Sequence, residues 1–150
     1  MKQYLILFLL FINLSAFSQI NKGDDGLYYN NNELYTGEYM EQFDNKNIKL
    51  KMNIVKGEID GNVEYFFENG NKKELRVYKN GLMHGTWITW SEKGVKIAEA
   101  NYFKNKKHGK WFVWDDSSVL RYDMTYKNGN KTGIWYIYNE NGKLINEKEF

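Results

Sequence analysis

The chain has 150 residues, which allows one ordinary domain or one short repeat array. Aromatic side chains make up 17% of it while proline and cysteine are both absent, which excludes a disulfide scaffold and a thiolate metal site. Its 21 basic and 19 acidic side chains are too evenly balanced for a nucleic-acid footprint or a polybasic membrane surface, so neither partner class is favoured.

The first element is a targeting segment. Met1 and Lys2 precede an almost unbroken apolar run from Tyr4 to Ile12, extended by Leu14, Ala16 and Phe17. At about 14 residues the run is short for a bilayer span, which needs about 20, and Ala16 and Ser18 supply the small residues a signal peptidase requires. Residues 1–18 therefore read as a signal peptide cleaved after Ser18, with Gln19 first in the mature chain. The competing readings are a buried core helix, which the lack of a polar face disfavours, and an uncleaved anchor. Loss of Lys2 lowers the formal charge from +2 to +1. Residues 19–30, rich in Asn, Asp and Gly, read as a linker or N-terminal cap.

From there to the last residue, one glycine recurs every 24 residues: Gly37, Gly61, Gly85, Gly109 and Gly133. A second phase, nine residues later, holds Gly70, Gly94 and Gly142, and a third, four residues before the first, holds Gly57, Gly81 and Gly129. These turn glycines divide the chain into five repeats, 31–54, 55–78, 79–102, 103–126 and 127–150. Between them lie aromatic and β-branched runs such as Trp111-Phe112-Val113-Trp114, which favour strands, and no 3.6-residue period survives across a repeat. Each unit reads as a strand of about six residues, a turn, a strand of about eight and a return turn. Asn105 and Ser118 stand in for glycine in the fourth repeat, and the turn at Asn105 should be the better preserved because Asn tolerates a left-handed backbone. The fold class is all-β: an elongated antiparallel meander of five hairpins in one single-layer twisted sheet, about 45–50 Å long. The first repeat, with Glu33 and Lys46 at glycine positions and Tyr39 at a Trp position, fits a polar terminal cap.

The unit Tyr-Lys-Asn-Gly-x-x-x-Gly-x-Trp, present as Tyr78 to Trp87 and Tyr126 to Trp135 and in outline as Tyr102 to Trp111, resembles the MORN-repeat variant proteins of bacteria. The resemblance covers residues 55–150 well and 31–54 poorly. It implies an interaction module built from hairpins, and some members of the family carry the label of antitoxins from toxin–antitoxin pairs.

The strongest recurrent feature is aromatic. Tyr78 with Trp87, Tyr102 with Trp111 and Tyr126 with Trp135 are each nine residues apart across a turn, the spacing of a structural cross-strand ladder. Trp90, Trp114 and Tyr138 lie an odd number of residues after the ladder tryptophans and so face the other side of a regular strand, where they form a candidate binding stripe. His84 and His108 share a repeat position, but at about 9–10 Å apart and with no third ligand they are expected to hydrogen-bond beside a turn and not to hold a metal. The acidic column Glu99, Asp123 and Glu147 has the spacing of glycosidase carboxylates, yet an open sheet offers no enclosed pocket and lysines lie nearby.

No catalytic residue, metal or cofactor is expected. The chain reads as an exported, periplasmic or extracellular module that binds another protein. Two alternatives stay open: an antitoxin or immunity protein, and a binder of carbohydrate or cell-wall polymer through the aromatic stripe. Nucleic acid is not expected as a partner, nor is membrane association once the signal peptide is removed.

Overall fold

A computed structural model describes residues 20–150; the expected signal peptide and its expected cleavage site lie outside the described residues. No helix occurs among them. A three-stranded sheet, β1 (Ile20–Lys22), β2 (Tyr28–Asn30) and β3 (Glu33–Leu34), precedes the main sheet. The main sheet is a meander of five long hairpins: β4 (Gly37–Gln42) with β5 (Ile48–Val55), β6 (Glu58–Phe66) with β7 (Lys72–Lys79), β9 (Gly85–Trp90) with β10 (Lys96–Phe103), β12 (Gly109–Trp114) with β13 (Leu120–Lys127), and β15 (Ile134–Tyr138) with β16 (Leu144–Glu149). Three two-residue strands, β8 (Leu82–Met83), β11 (Lys106–Lys107) and β14 (Asn130–Lys131), continue the return turns. The expected ten-strand antiparallel meander is therefore the architecture, with these short strands added.

The two kinds of turn have different chemistry. The hairpin turns are closed at both ends, as where the Gly94 amide donates to the Ser91 carbonyl at 2.9 Å and the Ser91 amide to the Val95 carbonyl at 2.8 Å. Ser118 makes the same turn, at φ 64° and with its amide 2.9 Å from the Asp115 carbonyl, so its turn is kept as fully as the one at Asn105. Asp115 supplies the reason: its carboxylate accepts the amides of Ser117 and Val119, both at 3.0 Å, which offsets the strain of a left-handed serine. The return turns place two successive residues at positive φ, as in Asn80 and Gly81 (50° and 69°). In the first repeat that pair is Asn31 and Asn32, one residue earlier than the 24-residue spacing predicts.

Gly37, Gly61, Gly85, Gly109 and Gly133 are not turn residues. They mark a step within the ascending strand. Between the pairs Tyr78↔Met83 and Leu75↔Ile88, β7 contributes two residues and the facing chain four. The extra residues form a bulge, and the glycine, at φ 66° for Gly85, lets the backbone turn through it.

Residues 20–34 are more than a linker. The Gly26 amide donates to the Gly23 carbonyl at 2.9 Å, the Gly23 amide to the Leu27 carbonyl at 2.8 Å, and the Asp25 carboxylate accepts the Leu27 amide at 3.0 Å. This is the same turn as the one at Phe43, where Asn45 accepts the Asn47 amide at 2.9 Å. The segment is a truncated additional hairpin. It joins the array through the Tyr28 amide, which donates to the Gly57 carbonyl at 2.9 Å.

Among the described residues the buried hydrophobic side chains are Leu50, Met52, Ile54 and Val63, all from the first two repeats, with Ile54 and Val63 fully buried, and Tyr28, Tyr35, Tyr39, Ile59, Tyr65 and Tyr78 pack against them. The first repeat is thus not simply a polar cap. The truncated hairpin before it supplies the cover, and the first two repeats hold the core.

Candidate functional site

Residues directly opposed in antiparallel strands share a face, so the register defines two surfaces. On the first, Tyr78, Trp87, Tyr102, Trp111, Tyr126, Trp135 and Phe150 form one continuous ladder. Successive ring centroids are 5.5, 4.5, 5.2, 5.2, 5.1 and 4.6 Å apart. The contacts across the return turns, nine residues apart, join neighbouring hairpins and alternate with contacts between the two strands of one hairpin, fifteen residues apart, that the sequence reading does not anticipate. All six pairs are tilted or edge-on, geometries in which aromatic pairs contribute about 0.5–1.5 kcal/mol each.

The ladder tryptophans also close the bulges. Trp87 Nε1 donates to the Val77 carbonyl at 3.0 Å, Trp111 Nε1 to the Asn101 carbonyl at 2.9 Å, and Trp135 Nε1 to the Thr125 carbonyl at 3.0 Å. Each carbonyl accepts a second bond from the bulge backbone: the amides of His84, His108 and Thr132 at 2.9, 2.8 and 3.0 Å. This is the physical content of the Gly-x-Trp motif. The glycine bends the strand, and the indole two residues on fills the second accepting position of a carbonyl that already takes a bulge amide. In the second repeat Val63 replaces Trp, and the site is filled by burial instead, at 1% exposure. Burial pushes the Tyr102 phenol above its ordinary value, with Arg76 acting in the opposite direction, and burial alone raises Tyr126.

The opposite surface carries a row that crosses all ten long strands. Its members, paired in order, are Met40, Lys51, Glu64, Leu75, Ile88, Glu99, Phe112, Asp123, Tyr136 and Glu147. In repeats three to five it alternates an apolar or aromatic side chain with a carboxylate. Trp90, Trp114 and Tyr138 border this row on the side of the hairpin turns, opposite Lys96, Leu120 and Leu144. All three are half-buried. Trp114 packs on Phe112 with centroids 5.5 Å apart and carries Lys96 Nζ 4.8 Å from its ring.

Glu99 and Asp123 flank Phe112, so the acidic column is two strands apart, and each has a lysine: Lys96 pairs with Glu99, and Lys110 lies 2.7 Å from Asp123. Glu147 is exposed on the last strand. The two histidines do not converge on each other; they sit on either side of Phe103, with ring centroids 5.1 and 5.8 Å from it. Among the described residues no group of three His, Cys, Asp or Glu side chains is arranged to hold a metal ion.

The site feature that sequence reasoning missed is this alternating row. The 24-residue recurrence of Glu99, Asp123 and Glu147 is visible in the sequence, but the aromatic residues between them come from other strands and become neighbours only through the register.

No curated protein matches the chain. The MORN repeat variant family matches it at residues 59–80, 107–128 and 131–150. The first two matched segments run from the strand step through a hairpin turn to the next return turn, and the third runs from the strand step through its hairpin turn to Phe150. The hairpin of β9 and β10, which lies between the first two matches, has the same ladder, bulge and indole bond. A hairpin unit that recurs with the family's own segments as its period makes this chain a member of the MORN repeat variant family.

Proposed function

We propose that the protein is an exported, non-catalytic binding module that engages a partner protein through the face bearing Trp90, Trp114 and Tyr138. MORN repeats are binding modules, and the observation that selects this face is a division of labour between the aromatic sets. The ladder tryptophans are committed to indole hydrogen bonds and ring stacking, whereas Trp90, Trp114 and Tyr138 make no such indole or phenol bonds and stand half-exposed beside an acid–aromatic row. Stiff aromatics bind at low entropic cost and form the usual centres of interfaces. Export rests on the N-terminal apolar segment; an intact mass of the exported protein beginning at Gln19 is the expected result, and a mass retaining Met1 would overturn it. An immunity protein against an incoming toxin is a narrower form of the same reading.

The test is a pair of variants. Trp114→Ala should abolish capture of a defined partner from envelope extracts while costing about 1 kcal/mol of stability. Trp111→Ala should cost about 3–5 kcal/mol, because a stacked indole and a carbonyl's partner are both lost. Capture unchanged by Trp114→Ala would overturn the assignment of this face. Carbohydrate is the second reading, favoured by the alternation of rings with carboxylates that can accept bonds from hydroxyls. Retention of wall fragments in place of a protein would select it.

A further inference from the structure

The return turns of repeats three to five, segments 79–84, 103–108 and 127–132, carry six lysines and no carboxylate: Lys79, Lys104, Lys106, Lys107, Lys127 and Lys131. The hairpin turns on the other rim, 91–95, 115–119 and 139–143, carry four carboxylates and two lysines. The near-neutral total therefore conceals two rims of opposite sign. In the strand bodies of these repeats Lys96, Lys110 and Arg121 are each paired with a carboxylate, whereas none of the six rim lysines makes an ion pair among the described residues.

Three observations say that this rim is built and not only basic. First, it is rigid: the amides of Asn105 and Gly129 donate to the carbonyls of Met83 and Lys107 at 3.0 and 2.8 Å, and the Asn105 side chain accepts the Met83 amide at 2.7 Å. Second, Lys104 holds φ 47° at a position where the neighbouring return turns use Asn80 and Asn128. A lysine in the left-handed region carries backbone strain that Asn would relieve. Third, a groove of about 380 Å³ opens between two turns, lined by Lys79, Asn80, Leu82, His84, Phe103 and Lys104. Leu82 and Phe103 are 39% and 44% exposed there.

We propose that this rim docks an extended acidic segment of a partner protein, with one apolar side chain of that segment seated between Leu82 and Phe103. The charge complementarity is specific in spacing. Successive return turns are two strands apart, about 9.5 Å, and a polyproline-II segment advances about 9.3 Å every three residues with those residues on one edge. A carboxylate at every third residue would meet successive turns. The rim is separate from the Trp114 face, so the two proposals stand or fall independently.

The experiment uses the mature chain and a fluorescent synthetic peptide of Glu-Pro-Ser repeats with one central Leu, beside a shuffled peptide of equal composition. Binding to the patterned peptide should weaken with salt and fall about tenfold or more in Lys79→Gln/Lys104→Asn/Lys127→Gln, while Lys93→Gln/Lys143→Gln on the other rim leaves it within about twofold. Lys104→Asn alone should weaken binding with the melting temperature unchanged or raised, which separates binding from folding. Equal binding of the shuffled peptide, or equal losses in both rim variants, would overturn the proposal. So would sedimentation with phosphatidylglycerol vesicles without peptide binding, or self-association that the rim variant dissolves.

Discussion

The two ends of this sheet solve the same problem differently. At the N-terminal end Leu50, Met52, Ile54 and Val63 are 9, 3, 0 and 1% exposed, because a truncated hairpin and a group of tyrosines lie over them. In repeats three to five the equivalent row of the same face is Trp87, Ala100, Trp111, Met124 and Trp135, and none of it is fully buried. There the rings cover one another edge to edge and small Ala100 makes room between two of them. A single-layer sheet can thus be stabilised by a lid over aliphatic residues or by a ladder that serves as its own lid. The ladder can be extended by any number of repeats; the lid can be used only at an end. At the C-terminal end none of the described residues forms a comparable lid, and residues 141–150 are all exposed, with Phe150 packed against Trp135.

Four substitutions test this contrast. The largest effect is expected at Ile54, fully buried beneath the tyrosines: Ile54→Ala should cost about 3–4 kcal/mol in urea unfolding. Ile137→Ala, at a half-buried position at the ladder end, should cost about 1 kcal/mol. Equal costs would mean that the ladder end is as densely packed as the lidded end. Next, Phe150→Ala removes a terminal ring that is 41% exposed and should cost about 1–2 kcal/mol. Amide exchange should quicken in β16 and β15 and stay slow in β5 and β6, since repeat arrays open from an unsupported end. Uniform quickening would show that the array unfolds as one unit. The smallest effect is a gain: Ser118→Gly relieves a left-handed serine at φ 64° and should raise stability by about 0.5–1 kcal/mol. A loss would show that the Asp115 bonds have already removed the strain.

Much of the fold was legible. The 24-residue glycine phases and the aromatic runs led directly to antiparallel hairpins, because a strand–turn–strand unit needs its special backbone angles at fixed places. What the period could not show was that one glycine phase marks bulges, since glycine reports a positive φ and not whether the chain reverses there. The pairs Tyr78 with Trp87 and Tyr126 with Trp135 were visible as nine-residue spacings. The contacts Trp87 with Tyr102 and Trp135 with Phe150 span the two strands of one hairpin, fifteen residues apart, and depend on a register that the bulges displace. The Asn-, Asp- and Gly-rich residues 19–30 read as a linker or cap, and the truncated spacing hid the kinship of their turn with the later units.

By itself, then, the sequence determined the secondary structure, the hairpin order and membership of a repeating architecture, because those follow from local backbone preference and a strict period. Only the tertiary structure decided which repeats hold the buried core, which aromatics are tied to carbonyls, and that lysines scattered along the chain gather on one rim. Those properties depend on residues from separate strands meeting side by side, and the offset between strands is set by bulges whose size no single repeat reveals.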